Sequence, residues 1–453
     1  MNDRILKSVH ITNYYHRNSG GISTSFNNLM SAAERLGRKV TVIVPGERRH
    51  DERINDFATL RWIPAKKSPI FDKRYRLIMP WQYMPSDSEL RDILLEESPD
   101  MIEVTDKYTL SMIGPMIRIG KFKQIGRPMM VHFSAERMDD NIGAFLSKGG
   151  GGTNVARAVV ANYLLPGFDF HIANSFYTAA EFHDSVRWID SSMKRRLMNR
   201  TWRFFAAPRI TPRDRIRVCP RGVDTGTFGI HQRDESKRHE LRKSIGADDA
   251  SVVLLYAGRL SPEKNIGLLT ETMRSLSSGP TDYRLVVAGA GPLEESFKDS
   301  SDSLFPGKVT MLGHVQKSRL AELYANVDIF VHPNPREPFG IGPLEAMASG
   351  VPTVAPRSGG ILSYADDDNA WLASPDPGSF VESIRSVTAD AAERTRRTVN
   401  AVATAMKNTR ELSTENLFAT YDSMYEDFRN RNDLYCDRDG ASDFDYTEFL
   451  NIG

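Results

Sequence analysis

The feature that most constrains the fold is an alternation of short apolar segments with longer segments of helical period. Residues 8–12, 39–44, 101–104, 129–133 and 170–174 are apolar runs of strand length, and 215–219, 252–256, 284–288, 309–315, 328–332 and 352–355 continue the series. Strands of this kind, separated by helix-length stretches, predict parallel sheets covered on both faces, with ligands bound beyond the carboxyl ends of the strands. A chain of 453 residues exceeds what one core usually fills, so two α/β domains of this type are expected.

The chain is organised around residues 335–356, PREPFGIGPLEAMASGVPTVAP, in which seven residues separate Glu337 from Glu345. Glu337 sits between Pro335 and Pro338 in a loop. The GIG turn Gly340, Ile341, Gly342 then opens a helix with Pro343 in its first turn, and Gly350 closes it before the next strand. The free N–H groups and positive dipole end of such a helix, reached through glycines, suit an anionic group such as a diphosphate. Upstream, AGRLSPEKNI (257–266) carries Arg259 and Lys264 in a strand-to-helix loop. One planar fork and one point charge aimed into a cleft suit a departing diphosphate. Gly20 and Gly21, after the first strand, offer a second close approach for phosphate.

These blocks, read in order, resemble the retaining glycosyltransferases of the family 4 type (glycosyl transferases group 1), with their E-x7-E motif set in EPFG-x4-EA-x3-G-x-P and their GR-x3-EKN block. The resemblance implies a GT-B fold: two Rossmann-like domains with parallel sheets facing across a cleft, and a C-terminal helix crossing back to the first domain. Expected boundaries are 1–219 for the acceptor-side domain, 220–412 for the nucleotide-sugar domain, 413–431 for the crossing helix and 432–453 for an acidic, disordered tail. PRGVDTGTF (220–228) is similar to the family's interdomain turn, with Arg221 where asparagine is usual.

By matching position the resemblance gives Arg259 and Lys264 to the diphosphate, Glu345 to the ribose hydroxyls, and Glu337 to the donor-sugar hydroxyls beside the reacting carbon. Gly20 and Gly21 match a loop near the donor phosphates, and His132, in VHFSAER, matches a histidine that approaches the donor sugar. Gly289 and Gly291 of GAGP match the turn under the nucleotide. Gly313, His314 and Val315 match the loop whose backbone meets the base, and Phe339, Gly340 and Ile341 complete the donor cradle.

The implied activity is transfer of a hexose from a UDP- or GDP-linked donor to a sugar, glycan or lipid-linked acceptor. Same-face attack is expected, with the leaving phosphate taking the acceptor proton and neither Glu acting as general base. No cofactor and no metal is expected. A GT-B nucleotide-sugar epimerase, a phosphorylase-like enzyme and a non-catalytic nucleotide-sugar-binding subunit are the rival readings.

Between Arg187 and Arg217, ten Arg and Lys stand against Asp190 and Asp214, in a chain whose formal net charge is +1. Residues 191–209 add Met193, Leu197, Met198, Trp202, Phe204 and Phe205 to this charge. A basic helix with an apolar face reads as a membrane-surface or partner-docking helix, or as a helix packed on the core with solvated arginines. The near-neutral total gives no reason to expect nucleic acid. Cys219 and Cys436 are far apart and no secretory or membrane-spanning stretch is evident, so the expected compartment is the cytoplasm, with peripheral attachment at the inner membrane surface where 191–209 touches lipid. GGGG within 148–153 reads as a flexible loop, and 232–243 as a charged linker.

Overall fold

The computed structural model describes residues 5–16, 21–68, 76–146 and 151–451. The chain divides into two compact units, Met1–Cys219 with Thr414–Gly453, and Pro220–Ser413.

The first unit contains β1 (Lys7–Ile11), β2 (Lys39–Gly46), β3 (His50–Arg53), β4 (Ala58–Pro64), β7 (Met101–Val104), β8 (Met129–Ser134), β9 (Phe170–Ala173) and β10 (Ile216–Val218), with β5 (Lys66–Lys67) and β6 (Arg76–Leu77) forming a separate ribbon. The sheet order is β10-β9-β8-β7-β1-β2-β4-β3. Every pairing is parallel except β3 with β4. Strand residues such as Val42, Ile43 and Val44 are buried on both faces, as parallel sheets require. Helix Gly21–Arg35 buries Phe26, Leu29, Met30 and Ala33, one stripe of a 3.6-residue period. Helix Arg410–Asn430 is counted with this unit from Thr414 onward and buries Phe418, Tyr421, Met424 and Phe428. The Tyr421 hydroxyl donates to Glu103 Oε2 at 2.5 Å, and Glu103 Oε1 lies 3.0 Å from His10 Nδ1.

Two expectations for this unit are corrected here, and an open one is narrowed. The acidic tail is not disordered: Asn432–Cys436 and Arg438–Asp443 are helical, Tyr446–Asn451 forms 3-10 turns, and Tyr435 and Tyr446 are buried. Its aromatics supply the apolar area that the count of carboxylates concealed. Arg118, paired with buried Asp169, donates to the Tyr435 carbonyl at 3.1 Å, which ties this segment to the unit. In the basic segment, helix Ser192–Phe204 buries Met198 and Trp202. Trp202 Nε1 donates to the Ala161 carbonyl at 2.8 Å and its ring lies 5.3 Å from that of Tyr446. Met193, Leu197 and Phe204 remain exposed on its other side. As for the GGGG loop, residues 147–150 lie outside the described residues, while Gly151–Val159 is a helix.

The second unit contains β11 (Val252–Ala257), β12 (Tyr283–Ala288), β13 (Val309–Gly313), β14 (Ile329–Val331), β15 (Thr353–Pro356) and β16 (Trp371–Ala373), in the order β13-β12-β11-β14-β15-β16 and parallel throughout. The strand order reverses between β11 and β14. In a sheet of this type the crevice beyond the carboxyl ends of those two strands is where ligands bind. The stretch read as a linker is instead helix Glu235–Ser244, capped by Asp234, whose Arg238 and Arg242 both reach Asp328. Among the described residues no helix is long and apolar enough to cross a membrane.

Candidate active site

The residues singled out in the second unit lie along the carboxyl edge of its sheet, with the Arg259 and Glu337 loops following the two strands that flank the reversal. The chain leaves β11 through Gly258 and Arg259, turns through the 3-10 segment Pro262–Lys264 and enters helix Ile266–Ser277. The GAG turn after β12 packs directly on this loop. A Cβ on Gly289 would lie 1.8 Å from the Gly258 carbonyl oxygen, and one on Gly291 would lie 2.2 Å from that of Leu260, so both positions demand glycine. Leu260 N donates to the Ala290 carbonyl at 3.1 Å and the Tyr256 hydroxyl to the Arg259 carbonyl at 2.8 Å. The backbone of the Arg259 loop is thereby held while its side chain is exposed. A bridge between Gly289 and Gly313 brings the end of β13, with exposed His314 and half-buried Val315, to the same edge of the sheet.

From β14 the chain runs through His332 and Asn334 to Glu337. Lys264 Nζ lies 2.8 Å from Glu337 Oε2, and Asn334 Nδ2 donates to the same oxygen at 2.9 Å. Asn265 Nδ2 donates to the Pro333 carbonyl at 3.1 Å, fixing one loop to the other. Burial alone would raise the Glu337 carboxyl. The charge of Lys264, with His332 and the hydrogen bonds from Lys264 and Asn334, outweighs it and holds the group at about 2. Glu337 is therefore a fixed anion whose side chain is 14 % exposed. His332 is driven by burial down to about 4, so its ring is neutral at pH 7.

Helix Ile341–Ala348 begins at Gly340, whose φ of +90° is the left-handed region that glycine tolerates. No side chain among the described residues caps this helix, so its first N–H groups are of the kind that can meet an anion. The Tyr364 hydroxyl bonds to the Gly340 carbonyl, and the Phe339 ring packs 5.2 Å from that of Tyr364. Phe339 is thus a buried core residue and Ile341 is half-buried, so a ligand in this region meets backbone more than either side chain. Glu345 faces the opposite balance to Glu337. Burial pushes its carboxyl up to about 8, a shift that Lys317 and a hydrogen bond with Tyr324 only partly offset.

Arg259, Lys264, Gly289, Gly291, Gly313, His314, Val315, Glu337, Phe339, Gly340, Ile341 and Glu345 therefore share the carboxyl edge of one sheet. The other predicted residues lie in the first unit. Gly21 opens helix Gly21–Arg35, and Gly20 lies outside the described residues. The expectation for His132 is corrected. It sits two residues inside β8 rather than at its end, fully buried, with ring centroids 5.3 Å from Phe168 and 5.6 Å from His171. Burial, with His171 and Lys107, keeps it neutral, and neither nitrogen has a partner among the described residues. Sequence reasoning missed Asn334, His332 and Tyr324. The first two were visible as polar residues crowded between a strand end and Glu337. Among the described residues no three His, Cys, Asp or Glu side chains are grouped as a metal site.

Comparison with known proteins accords with this geometry. Residues 237–404 match the family model of glycosyl transferases group 1, and residues 20–190 match that of the glycosyl transferase 4-like domain, between them most of the chain. The chain is 26% identical over 396 residues to a GDP-mannose-dependent alpha-(1-6)-phosphatidylinositol dimannoside mannosyltransferase of Mycobacterium tuberculosis, covering 86% of this chain and 90% of that protein. It is 23% identical over 386 residues to the alpha-monoglucosyldiacylglycerol synthase of Streptococcus pneumoniae, covering 81% and 78%. Among solved structures, sucrose-phosphate synthase from Thermosynechococcus elongatus is similar with a TM-score of 0.69 at 16% identity, over 93% of this chain and 100% of that one.

Proposed function

Because the chain belongs to the family 4 type of nucleotide-sugar-dependent glycosyltransferases, with their GT-B fold of two Rossmann-like domains, we propose that it transfers a hexose with retention of configuration, without a divalent metal, to a lipid-bearing acceptor. The observation that carries this reading is the 2.8 Å contact of Lys264 with Glu337, which joins the cationic loop to the carboxylate loop at the strand-order reversal. Arg259 and Lys264 would take the donor diphosphate, together with the uncapped helix end at Gly340. Charge growing on the departing diphosphate is stabilised by groups already in place. Glu337, ionised throughout the physiological range, would hold donor-sugar hydroxyls beside the anomeric carbon and favour positive charge there. Glu345, protonated at pH 7, would both donate to and accept from the ribose diol.

In this scheme the acceptor oxygen bonds to the anomeric carbon on the face from which the diphosphate oxygen departs, and the acceptor proton passes to that oxygen. No protein nucleophile is needed. GDP-mannose is the first donor to test, because the mycobacterial relative named above uses it, and both relatives named above act on lipids by name. Incubation with GDP-mannose or UDP-glucose and a lipid extract should yield a hexosylated lipid with the anomeric configuration of the donor, in EDTA as well as in Mn2+. Inverted product, or activity that EDTA abolishes and Mn2+ restores, defeats the reading.

The exposed face of helix Ser192–Phe204 supports presentation of such an acceptor at an anionic lipid surface. Met193, Leu197 and Phe204 lie on one stripe with Arg196, Arg200 and Arg203 beside them, whereas Trp202 takes no part because it is buried. Each basic residue near an anionic leaflet contributes on the order of 1 kcal/mol. Co-sedimentation with anionic vesicles should fall with salt and with Arg195, Arg196 and Arg200 changed to Glu. A wild-type protein that ignores such vesicles at low salt removes the membrane role.

A further inference from the structure

On the first unit, away from the reversal point of its sheet, lies a recess of about 360 Å³. It falls within the size range of small-molecule sites, roughly 300–1,000 Å³. Its walls come from helix Glu89–Glu97, which leads into β7, and from residues 120–125, which lead into β8. It therefore sits toward the amino ends of those strands. Ligand chemistry in such sheets occupies the carboxyl ends, so this is a separate place.

The charged side chains that line the recess are all cationic, set among Leu95, Phe122 and Ile125. Arg91, Lys121 and Lys123 line it with Ser86 and Gln124, and no Asp or Glu does. Arg91 is 9% exposed, which is unusual for an arginine without a counter-ion. Its Nε donates to the Tyr83 carbonyl at 3.0 Å and its Nη2 to the Met84 carbonyl at 2.5 Å, while the guanidinium lies 3.8 Å above the Phe122 ring. These contacts hold the fork in one orientation, yet among the described residues Arg91 has no ion pair and Nη1 no hydrogen-bond partner. Burial accordingly lowers its affinity for a proton, with no nearby carboxylate to compensate. A fourth cation reaches the rim from the C-terminal segment. Gly120 has a φ of +76°, and a Cβ there would lie 3.0 Å from Arg438 Nη1. Arg438, Lys121 and Lys123 likewise form no ion pair among the described residues.

We propose that this recess binds a phosphate-bearing anion, held by the planar fork of Arg91 and the point charges of Lys121 and Lys123, with Ser86 and Gln124 as hydrogen-bonding partners. An anion seated there also engages Arg438, and so links the segment leading into β8 to the C-terminal helix Arg438–Asp443. The phosphate can come from a free ester or from a lipid headgroup, and one set of measurements separates the two.

The test uses the full-length protein, with inorganic phosphate and vesicles of phosphatidylcholine with or without phosphatidylglycerol as probes. Because Arg91 also holds two backbone carbonyls, the exposed lysines carry the test, as Lys121→Glu with Lys123→Glu. Calorimetric titration with phosphate, at ionic strength held constant by chloride, should give saturable binding that weakens at least tenfold in the double variant. Lys407→Glu, an exposed charge reversal in the other unit, should leave it unchanged. If phosphate at constant ionic strength also weakens binding to phosphatidylglycerol vesicles, and the double variant binds them at least tenfold more weakly than the wild type does, the anion is a lipid headgroup. If phosphate binds and the vesicle affinity of the double variant equals that of the wild type, it is a soluble ester. The proposal is overturned if the double variant matches the wild type with both probes. It is equally overturned if the loss in the double variant is matched by Lys407→Glu, since the effect is then one of net charge.

Discussion

Lys264 Nζ and Glu337 Oε2 stand 2.8 Å apart although 73 positions separate the two residues in sequence. Each side chain is largely removed from water, and each supplies the counter-charge that the other needs there. Lys264→Ala strands the Glu337 carboxylate in a low-dielectric setting without its main partner. Turnover should fall on the order of 100-fold, the scale of losing a preorganised charge stabiliser. The acid limb of the pH–activity profile should move to higher pH as the Glu337 carboxyl rises from about 2. Steady-state kinetics across pH check both effects, and an acid limb that stays in place would separate the two residues functionally.

The two carboxylates of the motif should give stability opposite pH signs. Glu337 lies below its ordinary value, so its contribution is present above about 4.5 and lost as pH falls through about 2. Glu345 lies above its ordinary value, so its contribution is present below about 4.5 and lost as pH rises through about 8. Glu345→Gln should therefore gain stability relative to the wild type between pH 5 and pH 9 in thermal unfolding. Glu345→Ala should weaken binding of the free nucleoside diphosphate, and an unchanged dissociation constant would remove Glu345 from the ribose.

Gly289→Ala should be destabilising through the fit of two loops. The added methyl would sit 1.8 Å from the Gly258 carbonyl oxygen, and backbone rather than a flexible side chain has to yield. Overpacking of this kind costs roughly 1–3 kcal/mol. Denaturant unfolding should record that loss, and activity should fall further because the displaced loop carries Arg259.

Ending the chain after Asn430 should weaken the first unit. The missing residues include Tyr435, whose carbonyl accepts from Arg118, and Tyr446 and Phe449, which cover Trp202. Intrinsic fluorescence should shift red as Trp202 meets water, and the melting transition of this unit should drop by several degrees. Unchanged fluorescence would mean that the segment packs without supporting the core.

The second unit is the more legible from sequence because its determinants are local. Gly258, Gly289, Gly291 and Gly340 mark tight approaches, and the cations and carboxylates stand within a few residues of strand ends. What periodicity could not decide is which face of helix Ser192–Phe204 is covered, since Trp202 on one side and Phe204 on the other look alike in the sequence. The partner that decides it, Tyr446, lies far downstream. In residues 432–453 the carboxylates outnumber and mask the aromatic set Tyr435, Phe444, Tyr446 and Phe449. His132 reads in sequence as a strand-end residue, but β8 continues to Ser134 and turns that ring into an aromatic interior.

The first unit is assembled from segments on both sides of the second, and this sets an order of events during synthesis. All of Pro220–Ser413 must be translated before the helix residues from Thr414 onward can reach their places on β-strands made long before. At about 5–20 residues per second, that interval is on the order of 10–40 s. Throughout it Trp202 lacks its cover of Tyr446 and Phe449, and Asp169 and Arg118 await the Tyr435 backbone. The second unit, contiguous in sequence, has all its strands before the first can finish. Of the two units, the one begun first on the ribosome is thus the one completed last, and a nascent chain stalled before residue 414 presents an open apolar surface to chaperones.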